Sequence, residues 1–159
     1  MKILRQGLVL ILILIILLFI LVACTTTHSI VFQNDACIKP MTLRGYDYLT
    51  CDKMRVLIDG ETYVVPKNFK TDLASVPRAL WSFIAPQYTG FVPPAILHDY
   101  LYSCANLGTR KWSDEVFYSA LMATGVSRYT AMKFYLSVRL FGKSHFNHGT
   151  NYCPRVVYE

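Results

Sequence analysis

"MRVLIDGETYVV", residues 54–65, decides the fold class. Val, Ile, Tyr and Thr crowd both halves, and Asp59-Gly60 sits between them. A two-residue hairpin turn needs positive φ at both central positions, which Asp tolerates and Gly adopts freely. The stretch therefore reads as strand, tight turn, strand. Beyond it the pattern changes to helices, so the expected class is α+β, mainly helical: an N-terminal hairpin followed by about four helices.

Punctuation sets those helices. Ser75 and Pro77 open a short one through about Phe83, and Pro86 closes it. Pro93 and Pro94 pre-set a second, from about Pro94 to Cys104. Ser113 can cap a third, with Asp114 and Glu115 favourable in its first turn, ending before Gly125. Ser127 can cap a fourth over 128–141, with Gly142 as its stop. Repeats and low-complexity linkers are absent from the sequence.

The chain opens with Lys2 and Arg5, then runs apolar from Leu8 to Ala23 without a charge. That run falls short of the roughly 20 residues a spanning helix needs. Basic flank, apolar run and small closing residue describe a signal peptide. The run ends in "LVAC", residues 21–24, which resembles a bacterial lipobox and implies lipidation of Cys24 as the new N-terminus. Thr25 after the cysteine resembles the outer-membrane case of the enterobacterial sorting rule. The expected organisation is a lipoprotein signal peptide over 1–23, a lipidated tether over 24–36 and one domain over 37–159. The expected place is the cell envelope, anchored through Cys24 in the outer membrane and facing the periplasm.

Removal of 1–23 takes two cations and no acids from 16 Lys+Arg and 10 Asp+Glu, leaving 14 − 10 = +4. An excess that small and scattered, without an Arg/Lys stripe, argues against a nucleic-acid partner. Besides Cys24 there are Cys37, Cys51, Cys104 and Cys153. An even count in an exported chain suggests disulfides, and four cysteines allow three pairings. Cys37–Cys51 with Cys104–Cys153 is the favoured one.

"AILHDYLYSC", residues 95–104, sets a histidine beside an aspartate in a segment that otherwise reads as buried helix. Buried polar groups must find partners. His98 and Tyr102 lie one turn apart on one face, while Asp99 is rotated away by about 100°. On the third helix Asp114 falls in the arc of Phe117, Tyr118 and Leu121, with His98 as an available partner. Glu115 falls near Ser119, on the expected wet side. Asp72, in "FKTDLASVPR", raises the same question of a partner. Acids around one histidine suit water activation beside a hard cation, calcium or magnesium. Each residue also has a plainer account: His98 as a core histidine bonded to a carbonyl, Asp72 as a helix cap.

"TDLASVPR", "LHDYLY", the "SDEVF" helix and "FYLSVRLFG" resemble the phage and bacterial family called domain of unknown function 1353. The same order is similar to prokaryotic secreted phospholipase A2, over roughly residues 69–142. That resemblance implies His98 as general base, Asp114 orienting its imidazole and Tyr102 supporting the pair. It also implies calcium held by Asp72, Asp99 and the Leu73 carbonyl, with membrane phospholipid as substrate. Calcium would stabilise charge on the ester carbonyl, and the carboxylate would fix the tautomer of the base. The chain departs from the pattern at Arg78, where an acid is usual, and at Trp112, where a basic residue is usual. It also lacks the glycine-rich calcium loop of animal enzymes.

Other signals stay in the background. His145, His148 and Cys153 stand at spacings a metal could use, but an exported cysteine favours a disulfide and the stretch reads as a solvated tail. Trp81, Phe83 and Phe91 could touch lipid headgroups and read better as core. No GxSxG nucleophile elbow occurs. Three functions stay open: a calcium-dependent phospholipid hydrolase, a hydrolase for another envelope ester or amide, and a non-enzymatic envelope interaction protein.

Overall fold

The computed structural model describes residues 5–13, 16, 25–41, 47–73, 89–104 and 106–146. The hairpin stands where the sequence puts it, as β4 (Met54–Ile58) and β5 (Glu61–Val65). Met54 faces Val65 at one end and Ile58 faces Glu61 at the other. Asp59 and Gly60 turn the chain at φ 51° and 87°, the left-handed values that this turn demands. Strand side chains alternate between faces, so Met54, Val56, Ile58, Tyr63 and Val65 are buried while Arg55 is exposed.

The ordered body begins earlier than expected. Within the segment 24–36, read as a tether, β1 (Ile30–Phe32) pairs antiparallel with β4 and completes a sheet ordered β1-β4-β5. Asn34 fastens its end, donating to the Lys53 carbonyl at 2.8 Å and accepting the Arg55 amide at 2.7 Å. His28 Nδ1 lies 2.6 Å from Asp59 Oδ2, and the Ser29 amide donates to Asp59 Oδ1 at 2.8 Å. Those two bonds hold the Asp59 carboxyl below its ordinary value, the His28 contact being the larger cause. The tether reading fails because "SIVF" supplies the partner that one edge of β4 lacks.

A second sheet joins β2 (Ile38–Pro40), β3 (Tyr48–Thr50) and β6 (Lys70–Thr71) in the order β2-β3-β6. The expected Cys37–Cys51 disulfide closes the open end of the β2–β3 pair, with Cα atoms 5.2 Å apart. Cys104 is also disulfide-bonded. Cys153, Cys24 and the expected helix over Ser75–Phe83 lie outside the described residues, as do Arg78 and His148.

Three helices follow. α1 (Val92–Ser103) carries Pro at its first positions and starts after a short 3₁₀ turn, Thr89–Phe91. α2 (Arg110–Ala123) is capped by Thr109, whose hydroxyl accepts the Trp112 amide at 3.2 Å. Ser113, the expected cap, lies one turn inside and donates to the Thr109 carbonyl. Thr109 takes the role because "RKW" after it continues the helix backwards, and the first free oxygen upstream then becomes the cap. α3 (Arg128–Phe141) has the expected bounds, capped by Ser127 and stopped at Gly142, before a 3₁₀ turn over Gly142–His145. No helix among the described residues is long and apolar enough to cross a membrane.

α2 sits between two cores. Val116 and Ala120 pack with Ile96, Leu97 and Leu101 of α1 against Val56 and Val65 of the sheet. Phe117, Tyr118 and Leu121 pack with Phe134, Tyr135 and Val138 of α3. Each fully buried large apolar side chain contributes about 1.5–3 kcal/mol. Phe91 belongs to the second core, as read, with its ring 5.1 Å from Phe134.

Candidate functional site

α1 is covered on nearly every side: six of the seven residues from Ile96 to Tyr102 are buried, Asp99 being the partial exception. His98 is therefore 1% exposed, and Tyr102 one turn on is 6% exposed. Their ring centroids lie 4.0 Å apart at a tilt of 42°, and Phe117 of α2 closes on His98 from 4.6 Å.

The inward arc of α2 delivers Asp114 to this pair, itself wholly buried. Its Oδ1 lies 2.9 Å from His98 Nε2 and accepts the Tyr102 hydroxyl at 2.5 Å. Its Oδ2 accepts Arg139 Nη1 of α3 at 2.8 Å, and Arg110 Nη1 stands at 3.7 Å. Arg110 also donates to the Val138 and Arg139 carbonyls in the last turns of α3. A buried carboxylate is expensive unless paired and hydrogen-bonded, and here both oxygens are saturated.

Charge follows from those contacts. Burial pushes the Asp114 carboxyl up, but the bonds from His98, Tyr102 and Arg139 outweigh it and hold the group below its ordinary value. Asp114 is thus a carboxylate, so His98 Nε2 carries a proton toward it. Burial first, then the bond to Asp114, drives the Tyr102 phenol well above its ordinary value against the opposing pull of Arg110. Tyr102 stays a neutral donor.

The other expected site residues lie on α1 and in the corner that follows β6. Asp99, beside His98 on α1, accepts a hydrogen bond through Oδ2 from the buried Thr71 hydroxyl at the end of β6. The same Thr71 oxygen accepts the Leu73 amide at 3.1 Å. Leu73 is held at φ 53°, a backbone state that a bulky L-residue rarely occupies. Asp72, between them, is exposed. One hydroxyl thus ties Asp99 to the 71–73 corner. The expected calcium ligands, the Asp72 and Asp99 carboxylates and the Leu73 carbonyl, are hard oxygen donors of the kind that ion takes. No group of three or more His, Cys, Asp or Glu among the described residues could hold a metal ion.

Four participants escape a reading of the sequence: Arg139, Arg110, Thr71 and the cover over Glu115. Arg139 directly follows the buried Val138 of α3, and that position was its only signal. Glu115, expected on the wet side, is 4% exposed because the N-terminal segment lies over it. It accepts the Thr26 amide at 2.9 Å and Lys111 Nζ at 2.6 Å, while Ser119 Oγ accepts the His28 amide at 2.9 Å.

Residues 49–138 match the family described as "Protein of unknown function (DUF1353)", which is more than half of the chain. The chain belongs to DUF1353. The match runs from β3 to the last turn of α3, so it includes Asp72, Leu73, His98, Asp99, Tyr102 and Asp114 and stops one residue short of Arg139. The chain is also 32% identical over 99 residues to the "Uncharacterized protein y4iH" of Sinorhizobium fredii (strain NBRC 101917 / NGR234). That alignment covers 62% of this chain and 41% of the relative, so the chain spans well under half of the protein it matches. No solved structure matches. Neither DUF1353 nor this relative brings phospholipase A2 into the comparison, and the likeness to that enzyme rests on the motifs alone.

Proposed function

We propose that this DUF1353 chain is an envelope lipoprotein, anchored through Cys24, whose His98–Asp114–Tyr102 cluster hydrolyses a phospholipid ester with calcium held by Asp72, Asp99 and the Leu73 carbonyl. The observation that carries the reading is the 2.9 Å approach of His98 Nε2 to a carboxylate whose same oxygen accepts Tyr102. Asp114 so placed fixes the imidazole tautomer and steadies the cation that forms when the ring is protonated. His98 takes a proton from water as the water oxygen bonds to the ester carbonyl carbon. The C–O bond to the glycerol oxygen then breaks, and that oxygen takes the proton back from the imidazolium, leaving a lysophospholipid and a fatty acid. Calcium would supply stabilisation of negative charge on the carbonyl oxygen and the lipid phosphate.

A second reading has its own observation. With His98 1% exposed and Asp114 gripped by guanidinium groups from two helices, the cluster also suits a polar core that locks α1, α2 and α3 for a non-enzymatic scaffold. Phospholipid hydrolysis by the purified chain, with calcium and with chelator, separates the two. Release of fatty acid that chelator abolishes supports the hydrolase. A folded protein without turnover in either condition overturns it in favour of the scaffold. Radiolabelled palmitate should enter the wild type and not Cys24→Ala, and equal labelling would remove the anchor.

A further inference from the structure

α3 buries one stripe, Ala131, Phe134, Tyr135 and Val138, against α2. The opposite stripe, at i, i+4 and i+11, holds Tyr129, Lys133 and Leu140. Tyr129 and Leu140 are 73% and 66% exposed, and Phe141 beside them is 74% exposed. A surface helix ordinarily turns a polar face to water, so large apolar side chains opposite the buried stripe call for a cover.

Charge names the cover. Arg128, Lys133 and Lys143 lie on this helix and its following turn, and residues 116–146 contain no Asp or Glu. Lys133 stands 4.2 Å above the Tyr129 ring, so cation and aromatic share one patch. Basic groups among exposed aromatic and aliphatic side chains are the composition of a helix that lies in an anionic lipid interface.

A membrane holding the apolar run Leu8–Ala23, or a lipid on Cys24, would keep the domain beside a bilayer, since Thr25 follows directly in the chain.

We infer that the outer face of α3, built on Tyr129, Lys133, Leu140, Phe141 and Lys143, seats the domain on an anionic phospholipid bilayer. The inference deepens the phospholipid reading by naming the surface that meets the substrate, and its test reads attachment rather than turnover.

The full chain is reconstituted into vesicles of phosphatidylcholine, or of phosphatidylcholine with phosphatidylglycerol. Each carries a trace of phospholipid with a photoactivatable acyl chain, and cross-linked peptides are mapped after irradiation. Peptides from 129–143 should label several-fold more in anionic vesicles than in neutral ones. Leu140→Ser with Phe141→Ser, and separately Lys133→Glu with Lys143→Glu, should each lower that labelling at least fivefold. These exposed sites leave the folded circular dichroism spectrum as it is. His98→Asn should label like wild type, which keeps a failure of catalysis apart from a failure of docking. Labelling confined to the N-terminal apolar segment overturns the inference. So does an α3-to-α3 cross-link between protein chains, which would make a second copy the occupant.

Discussion

Arg139 Nη1 reaches Asp114 Oδ2 at 2.8 Å across 25 residues of sequence, and through it α3 grips the carboxylate that holds His98 of α1. The carboxylate on α2 thus ties to both flanking helices.

Asp114→Ala removes that group and takes the carboxylate away from the partly buried Arg139 guanidinium and the buried His98 imidazole. Removing one member of a buried pair costs about 3–5 kcal/mol. Chemical denaturation should show a loss of that size. A loss under 1 kcal/mol would mean that the cluster contributes little to holding the helices together.

The pH dependence has a definite sign. The folded Asp114 carboxyl lies below its ordinary 3.8, so its stabilisation is fully present above that pH and is lost as pH falls through the lower folded value. The melting temperature of the wild type should drop in acid below about pH 4. Asp114→Asn should start lower and show a shallower acid limb. Parallel acid limbs in the two proteins would assign the loss to other carboxylates.

For catalysis, His98→Asn should fold and lose about 10²- to 10⁴-fold in phospholipid hydrolysis. Asp114→Asn should also lower turnover, and the double variant should be little worse than His98→Asn because the two act as one unit. Undiminished hydrolysis by folded His98→Asn would end the general-base assignment.

Gly142 tests Tyr102 from outside the cluster. A Cβ there would meet the Tyr102 hydroxyl at 2.8 Å, and that hydroxyl is engaged on Asp114. Gly142→Ala should cost about 1–3 kcal/mol through overpacking. Tyr102→Phe should cancel most of the difference in a double-variant comparison, since the clashing atom is gone. Additive losses would place the strain elsewhere.

Thr71 governs the proposed calcium site. Thr71→Val keeps the shape and deletes the hydroxyl shared by Asp99 and the Leu73 amide. Calcium binding measured by calorimetry should weaken strongly in Thr71→Val and in Asp99→Asn, and survive in Thr71→Ser. Equal affinity in Thr71→Val and wild type would remove the 71–73 corner from the site.

What the sequence made legible was local. The Asp59-Gly60 turn, the Ser127 and Gly142 limits of α3 and the Cys37–Cys51 pair each depend on residues near one another, and each stands as read. The pairing of His98 with Asp114 was legible because both fall on inward arcs of helices with strong apolar marking. β1 was not, since three residues after a polar run carry no period, and the partner that makes them a strand is more than 20 positions away. The arginines escaped for a similar reason. A cation at the margin of a helix reads as solvated until tertiary packing brings a buried carboxylate to it.

Thr26 and His28 fasten to Glu115 and Ser119, contacts 89 and 91 residues apart in the chain. The consequence is one of timing. During synthesis the opening strand leaves the ribosome long before the helix that receives it exists. Contacts at such separation form late, because loop closure must be met before they can reward it. Until β1 is secured, one edge of the hairpin can stand bare, an open template for any other strand. This early stretch is the one last secured, and any factor that escorts the young chain has its clearest task at residues 25–33.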